Sequence, residues 1–218
     1  MYALIEDDAI IKTYNNPRGM TIGDVQYPQN IHSLWSEADL NAIGIYTVIY
    51  DDTNKKAEEW YTNTNQTVTF AGGVVTATYG TATDKLLENR NEVWAQEQVD
   101  EGVAPDGTSA GDPKLDRDGN QMVTKGLKTI KKEIFDRQAA QSLAKYDWYV
   151  IRNTEAGTAI PSAITDYRTA VRTKCNSMQA QIDGAANVDA LAALFTYTKT
   201  DDVTSRPLGE FPDDPNKE

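Results

Sequence analysis

The chain has 218 residues, with 33 acidic against 21 basic side chains and a formal net charge of -12. It is long enough to bury one large core or two small ones. The charge works against nucleic acid as a partner, since neutralising phosphates requires clustered Lys and Arg, and no stretch approaches the roughly 20 apolar residues that span a bilayer.

The opening residues, Met1-Tyr2-Ala3-Leu4-Ile5 before Glu6-Asp7-Asp8, carry no basic region and too short an apolar run for a signal peptide. This predicts synthesis and folding in cytosol-like conditions. Residues 2–5 and 9–14 are apolar and β-branched around that acidic turn, the pattern of a hairpin. Ser36 is suited to cap a short helix through Ile43, with Glu37 and Asp39 at its positive end and Gly44 placed to stop it. A strand over 45–50 and a turn over 51–54 follow. Trp60-Tyr61-Thr62, residues 66–70 and residues 74–79 read as a β-meander, the last two runs joined by Ala71-Gly72-Gly73. An open sheet of this size leaves edges that gain by pairing, which points to a homo-oligomer.

Residues 84–101 read as a helix carrying Leu86, Leu87, Val93, Trp94 and Val99, and residues 102–113 are dense in Gly, Pro and Asp, as a linker is. Lys125, Lys128, Lys131 and Lys132 lie on a stretch of helical period and are expected to form a solvated face. Leu127, Ile130, Ile134, Phe135, Ala139, Leu143, Tyr146 and Val150 recur every three or four residues, which predicts a helix of about six turns. Residues 153–158 end it. Pro161 opens a second helix whose stripe is Ile164, Tyr167, Val171, Cys175, Met178 and Ile182, with Cys175 acting as a small hydrophobe. Asn187 caps a third helix over 188–195, and residues 199–218 should form a surface-bound or disordered tail. The fold class expected is α+β: a small antiparallel β-rich domain (1–83), a helix with a Gly/Pro/Asp-rich linker (84–126), a helical hairpin with a short third helix (127–198), and an acidic tail (199–218).

Seven residues of the helical region form the candidate site: Arg137, Leu143, Asp147, Trp148, Tyr167, Arg168 and Arg172. Trp148 is expected to bury on the order of 150–250 Å² as the anchor of the hairpin. Arg168 and Arg172 lie four apart on one helix face, and Asp147 is the natural carboxylate for one of them. The cluster either locks the hairpin or forms a surface presented to a partner.

Catalytic constellations are absent from this reading. His32 is the single histidine, so Ser-His-Asp or Cys-His chemistry would have to use it, and both His32 and Cys175 read as packing or surface residues. Asp116-Arg117-Asp118-Gly119-Asn120 resembles the start of a calcium loop, but the twelfth position is Leu127 where a bidentate Glu is needed, so a turn is expected. Gly72-Gly73 lacks the Lys-Ser/Thr of a phosphate loop. Adjacent pairs such as Glu58-Glu59 and Asp201-Asp202 do not create the carboxylate separations of a glycosidase. No enzyme, cofactor or metal is expected.

Several runs resemble tailed-bacteriophage tail fibre proteins and tail assembly chaperones. They are Phe135-Asp136-Arg137 to Leu143, Tyr146-Asp147-Trp148-Tyr149-Val150-Ile151-Arg152, Thr154-Glu155-Ala156-Gly157-Thr158-Ala159-Ile160-Pro161, Tyr167-Arg168 and Val171-Arg172. The opening, residues 21–31 with Leu34-Trp35-Ser36 and Ala42-Ile43-Gly44-Ile45-Tyr46, is similar to phage and prophage proteins that carry this hairpin. The likeness covers most of 1–80 and about 130–195. It implies a structural component of a virion, a tail or tail-fibre protein joined to other tail or fibre proteins. The alternatives are an assembly chaperone absent from the mature particle, and a receptor-binding or glycan-active tail protein. The family offers no known catalytic residues to carry over.

Overall fold

The computed structural model describes residues 1–216 and is α+β, divided into two compact units, Met1–Thr83 and Asp84–Glu218. In the first unit β1 (Tyr2–Glu6) and β2 (Ala9–Tyr14) form the expected hairpin, turned by Asp7 and Asp8 at φ 48° and 59°. A short hairpin, β3 (Met20–Ile22) and β4 (Val25–Tyr27), leads into α1 (Ile31–Leu34) and α2 (Glu37–Ala42). Ser36 and Asp39 close a capping box at the start of α2, satisfying two backbone donors the helix cannot. Gly44 then sits at φ +84°, where a Cβ would lie 2.4 Å from the Ile5 carbonyl oxygen, so only glycine lets this turn close on β1.

The main sheet has the order β2-β1-β5-β8-β7, with β5 (Ile45–Asp51), β7 (Gln66–Ala71) and β8 (Val74–Tyr79). β7 and β8 are the predicted hairpin, and β8 joins β5 in parallel; the 60–62 run does not pair with β7, so the segment is not a meander. The short β6 (Tyr61–Thr62) stands outside this sheet. Its approach is pinned as a loop instead: the Asn63 side chain accepts from Lys56 N at 2.9 Å and donates to Lys56 O at 2.8 Å, while Trp60 and Tyr61 are buried.

Strand alternation gives the sheet two apolar faces. Ala3, Ile5, Val48, Val75 and Ala77 make one core. Tyr2, Leu4 and Ile45 face the other way, onto Ile31 and Leu40 of the helices. The edge strands β2 and β7 approach each other within 8 Å between Cα atoms. Ile10 from one edge and Val68 and Phe70 from the other pack on the same core. The sheet therefore curls, bringing its two edge strands near one another, although no backbone ladder joins them.

The two-residue β9 (Thr83–Asp84) marks the junction. Of the helix expected over 84–101, only α3 (Gln96–Asp100) forms. The preceding backbone is committed to other partners. Leu86 O and Leu87 O accept from Leu127 N and Lys128 N at 2.7 and 3.1 Å, and the Asn89 side chain accepts from Gly126 N at 2.9 Å. β10 (Arg90–Asn91) pairs with β11 (Val123–Thr124), and Trp94 exchanges hydrogen bonds with the 111–112 backbone. These tertiary bonds outweigh modest helix propensity. The same bonds hold the Gly/Pro/Asp-rich stretch as an ordered loop. Asp116 closes the expected turn by accepting from Asp118 N and Asn120 N, each at 2.9 Å, and those donors hold its carboxyl below the usual range.

The helices are α4 (Leu127–Ala144), α5 (Asp147–Ala156), α6 (Ser162–Gly184) and α7 (Val188–Phe195). α4 and α6 pack as the hairpin. All six residues of the predicted α6 stripe are buried, and Asn187 caps α7 by accepting from Ala190 N at 2.8 Å. Burial, with the Asp136 carboxylate second, pushes the Cys175 thiol above its ordinary value, as suits a packing residue. The α4 stripe differs from expectation. Ile130 is 41% exposed, whereas Lys128 and Lys131 are buried. Their aliphatic stems line the seam, with Lys128 Nζ 2.5 Å from Glu88 Oε1 and 2.9 Å from Asp183 O, and Lys131 over the Phe195 ring. Lys132 pairs with Asp183 at 2.7 Å, and Lys125 pairs with Glu133. Lys128 and Lys131 are thus internal ties, whereas Lys125 is exposed, as expected of a solvated face, and Lys132 is partly so.

The tail is surface-bound over its described length; its last two residues lie outside the described residues. After the hairpin β12 (Thr198–Thr200) and β13 (Val203–Ser205), Leu208 is fully buried. Arg206 lies over Tyr197 and Phe135, and the Phe211 ring lies tilted against Phe135 at 6.2 Å. No helix among the described residues is long and apolar enough to cross a membrane.

Two substitutions test this account by urea unfolding. Gly126→Ala places a Cβ 2.3 to 2.5 Å from the 87–88 backbone and is expected to be severely destabilising. Leu208→Ala is expected to cost about 2–5 kcal/mol through the cavity it leaves.

Candidate interaction surface

The long helix expected to run through Val150 breaks at Lys145-Tyr146, where Tyr146 leaves helical geometry at φ -117°, ψ 8°. The break is chemically satisfied. Arg168 of α6 donates through Nη1 at 2.7 Å to the Leu143 carbonyl oxygen, which lies in the last turn of α4 and also accepts from Tyr146 N at 3.0 Å. The same nitrogen donates to Asp147 Oδ1 at 2.9 Å, so one guanidinium grips the last turn of α4 and the first residue of α5. Asp147 also complements the positive end of α5.

Tyr146 is the aromatic anchor at this corner. It is 5% exposed and meets buried Tyr167 edge-on at 5.6 Å. Its hydroxyl donates to Asp214 of the tail, and Lys145 Nζ reaches the same carboxylate at 3.1 Å. The Tyr146 hydrogen bond, with help from Asn216 N and Lys145, holds the Asp214 carboxyl at about 2. The phenol is pushed up to about 12, first by its bond to Asp214 and then by burial.

Trp148 is not the anchor. It is 49% exposed, because the break at 145–146 turns α5 and directs the indole outward. Its ring lies 3.9 Å from that of Tyr149, and the Arg152 guanidinium covers both, at 4.7 and 5.3 Å. Arg152 has no carboxylate partner among the described residues, and its Nε is buried without an acceptor. Ile151, 56% exposed, and Val150 extend the apolar area.

Of the seven candidate residues, Leu143, Asp147, Tyr167 and Arg168 converge on the corner, and Trp148 stands beside it facing out. Arg137 and Arg172 are exposed, and neither has an ion pair or hydrogen bond among the described residues. Tyr146, Lys145, Arg152 and Asp214 complete the arrangement and were not among the candidates. Tyr146 was visible as one position of the apolar period, but nothing local marks Asp214, 68 residues away, as its acceptor.

Searches of protein-family models, curated proteins and solved structures find no match to this chain.

Two tests follow from the corner. Arg168→Ala removes the charged donor from both Asp147 and the Leu143 carbonyl, which keeps only its turn bond from Tyr146 N, and is expected to lower stability by about 1–3 kcal/mol. Asp147→Asn removes only a half-solvated pair and is expected to cost less than about 1 kcal/mol. The latch between the tail and Tyr146 is pH-dependent at both extremes. The Asp214 carboxyl titrates lower folded than unfolded, so its contribution is full above the ordinary value of 3.8 and is lost as pH falls through about 2. The Tyr146 phenol titrates higher folded than unfolded, so its contribution is full below 10 and is lost as pH rises through about 12. Methyl resonances of Leu208 followed from pH 7 in both directions should hold steady between roughly 4 and 10, and Asp214→Asn should abolish the acid transition.

Proposed function

We propose that the chain is a structural component of a tailed-bacteriophage virion, a tail or tail-fibre protein that joins other tail or fibre proteins through packing surfaces. The observation that carries the reading is the α5 face, where Trp148, Tyr149 and Arg152 stack together beside exposed Ile151. Trp, Tyr and Arg are the residue types that dominate binding energy at protein interfaces. Here they sit on a short helix whose orientation is fixed from behind by Arg168 and Tyr146. The resemblance of the hairpin and of the N-terminal region to phage tail proteins supports the same role, and the acidic charge favours protein over nucleic acid as neighbour.

Mass spectrometry of purified particles is the test. The chain should be present at a fixed ratio to the known tail proteins. A chain that assists assembly and then leaves would be missing, and that result would overturn the structural role. Trp148→Ala should change the stability of the isolated protein by no more than about 0.5 kcal/mol, since the indole is half exposed, while depleting the chain from particles at least tenfold.

A further inference from the structure

The Met1–Thr83 unit holds only four cationic side chains, Lys12, Arg18, Lys55 and Lys56, among ten carboxylates. Two of the four, Lys12 and Arg18, line one cavity of about 350 Å³, and no carboxylate lines it. Neither forms an ion pair among the described residues. The β1–β2 register sets Lys12 opposite Leu4, and Tyr14, two residues on, shares its face. The segment after β2 then folds back, placing the Arg18 guanidinium 5.1 Å from the Tyr14 ring centroid and bringing Met20 and Thr21 to the opposite wall.

We infer that this cavity is a binding site for a small organic monoanion, a carboxylate carried on a compact polar body the size of one sugar acid. The volume falls in the range of small-molecule sites. Lys12 and Arg18 meet no carboxylate in the lining, so a carboxylate seated between them supplies the local counter-charge. The net negative field of the unit favours a single charge over the double charge of phosphate. Tyr14 adds a donor. Its hydroxyl is engaged only by the Met20 sulfur at 3.9 Å, a weak acceptor that an incoming oxygen outcompetes. Burial, with Tyr2 second, pushes that phenol up to about 12, so it remains a donor throughout the physiological range. Leu4 and Met20 supply the apolar wall against which the body of the ligand rests. Because Lys12 and Arg18 are themselves exposed, the affinity expected is millimolar and salt-sensitive.

The test is an amide-resonance titration of the full chain with sodium glucuronate, glucose and sodium phosphate at low ionic strength. Glucuronate should shift residues 12–14 and 18–21 saturably, and glucose and phosphate should each bind at least fivefold more weakly. Lys12→Gln and Arg18→Gln should each weaken glucuronate at least fivefold while leaving the β7 and β8 amides of the same unit unshifted, which shows that the variants are folded. Absence of saturation would overturn the site, as would binding indifferent to both substitutions. Equal binding of glucose would remove the role of charge, and equal binding of phosphate would remove the preference for an organic monoanion.

Discussion

The helical unit depends on how one helix end is closed. Leaving helical geometry at Tyr146 interrupts the hydrogen-bond ladder at the last carbonyl acceptors of α4, of which Leu143 O keeps a turn bond from Tyr146 N at 3.0 Å. Arg168 meets one of these acceptors and, with the same nitrogen, the carboxylate that opens the next helix. Its own side chain is only 11% exposed, so the guanidinium has little access to water and depends on these acceptors for its hydrogen bonds. Arg and break thus stabilise one another. Tyr146 packs edge-on against Tyr167 of α6 at this same corner.

A second constraint runs along the start of α4. The first turn of this helix has no side-chain cap, and its donors are met by the carbonyls of Leu86 and Leu87, with Gly126 upstream held by Asn89. The segment before the hairpin is therefore the cap of the hairpin, and it is extended because it performs that task. The buried lysines belong to the same economy of ends. Lys128 reaches Glu88 on that capping segment and the Asp183 carbonyl at the end of α6, so one ammonium joins the start of one long helix to the finish of the other.

These features explain what could be read from the sequence and what could not. The α6 stripe, the α7 cap at Asn187, the β1–β2 and β7–β8 hairpins and the N-cap at Ser36 are set by residues within a few positions of one another, and each was legible. The helix assigned to residues 84–101 failed because its backbone is used by residues about 40 positions away. Lys128 and Lys131 departed from expectation because charge was taken as a sign of exposure, although four methylenes can fill a seam while the ammonium finds a partner at its rim. Trp148 failed for a related reason. Size and apolarity made it the expected anchor, but a break two residues earlier rotated the face on which it stands, and Tyr146 took the buried position instead. Asp147–Arg168 could be anticipated from charge and spacing, whereas the Leu143 carbonyl, the contact that closes the break, has no side-chain signature.

The exposed indole gains its meaning from what lies behind it. A large aromatic on a mobile segment loses much of its docking energy to ordering, whereas one on a fixed support retains it. α5 is held at its first residue by Arg168, and the residue just before it is tied to the tail by the Tyr146–Asp214 bond. Within the helix, Arg152 stacks on both Trp148 and Tyr149, restricting their rotamers before any partner arrives. The tail thereby acts at a distance from its own surface. By pinning Tyr146 it fixes the turn that directs Trp148 outward, so the strap and the presented face are two ends of one arrangement.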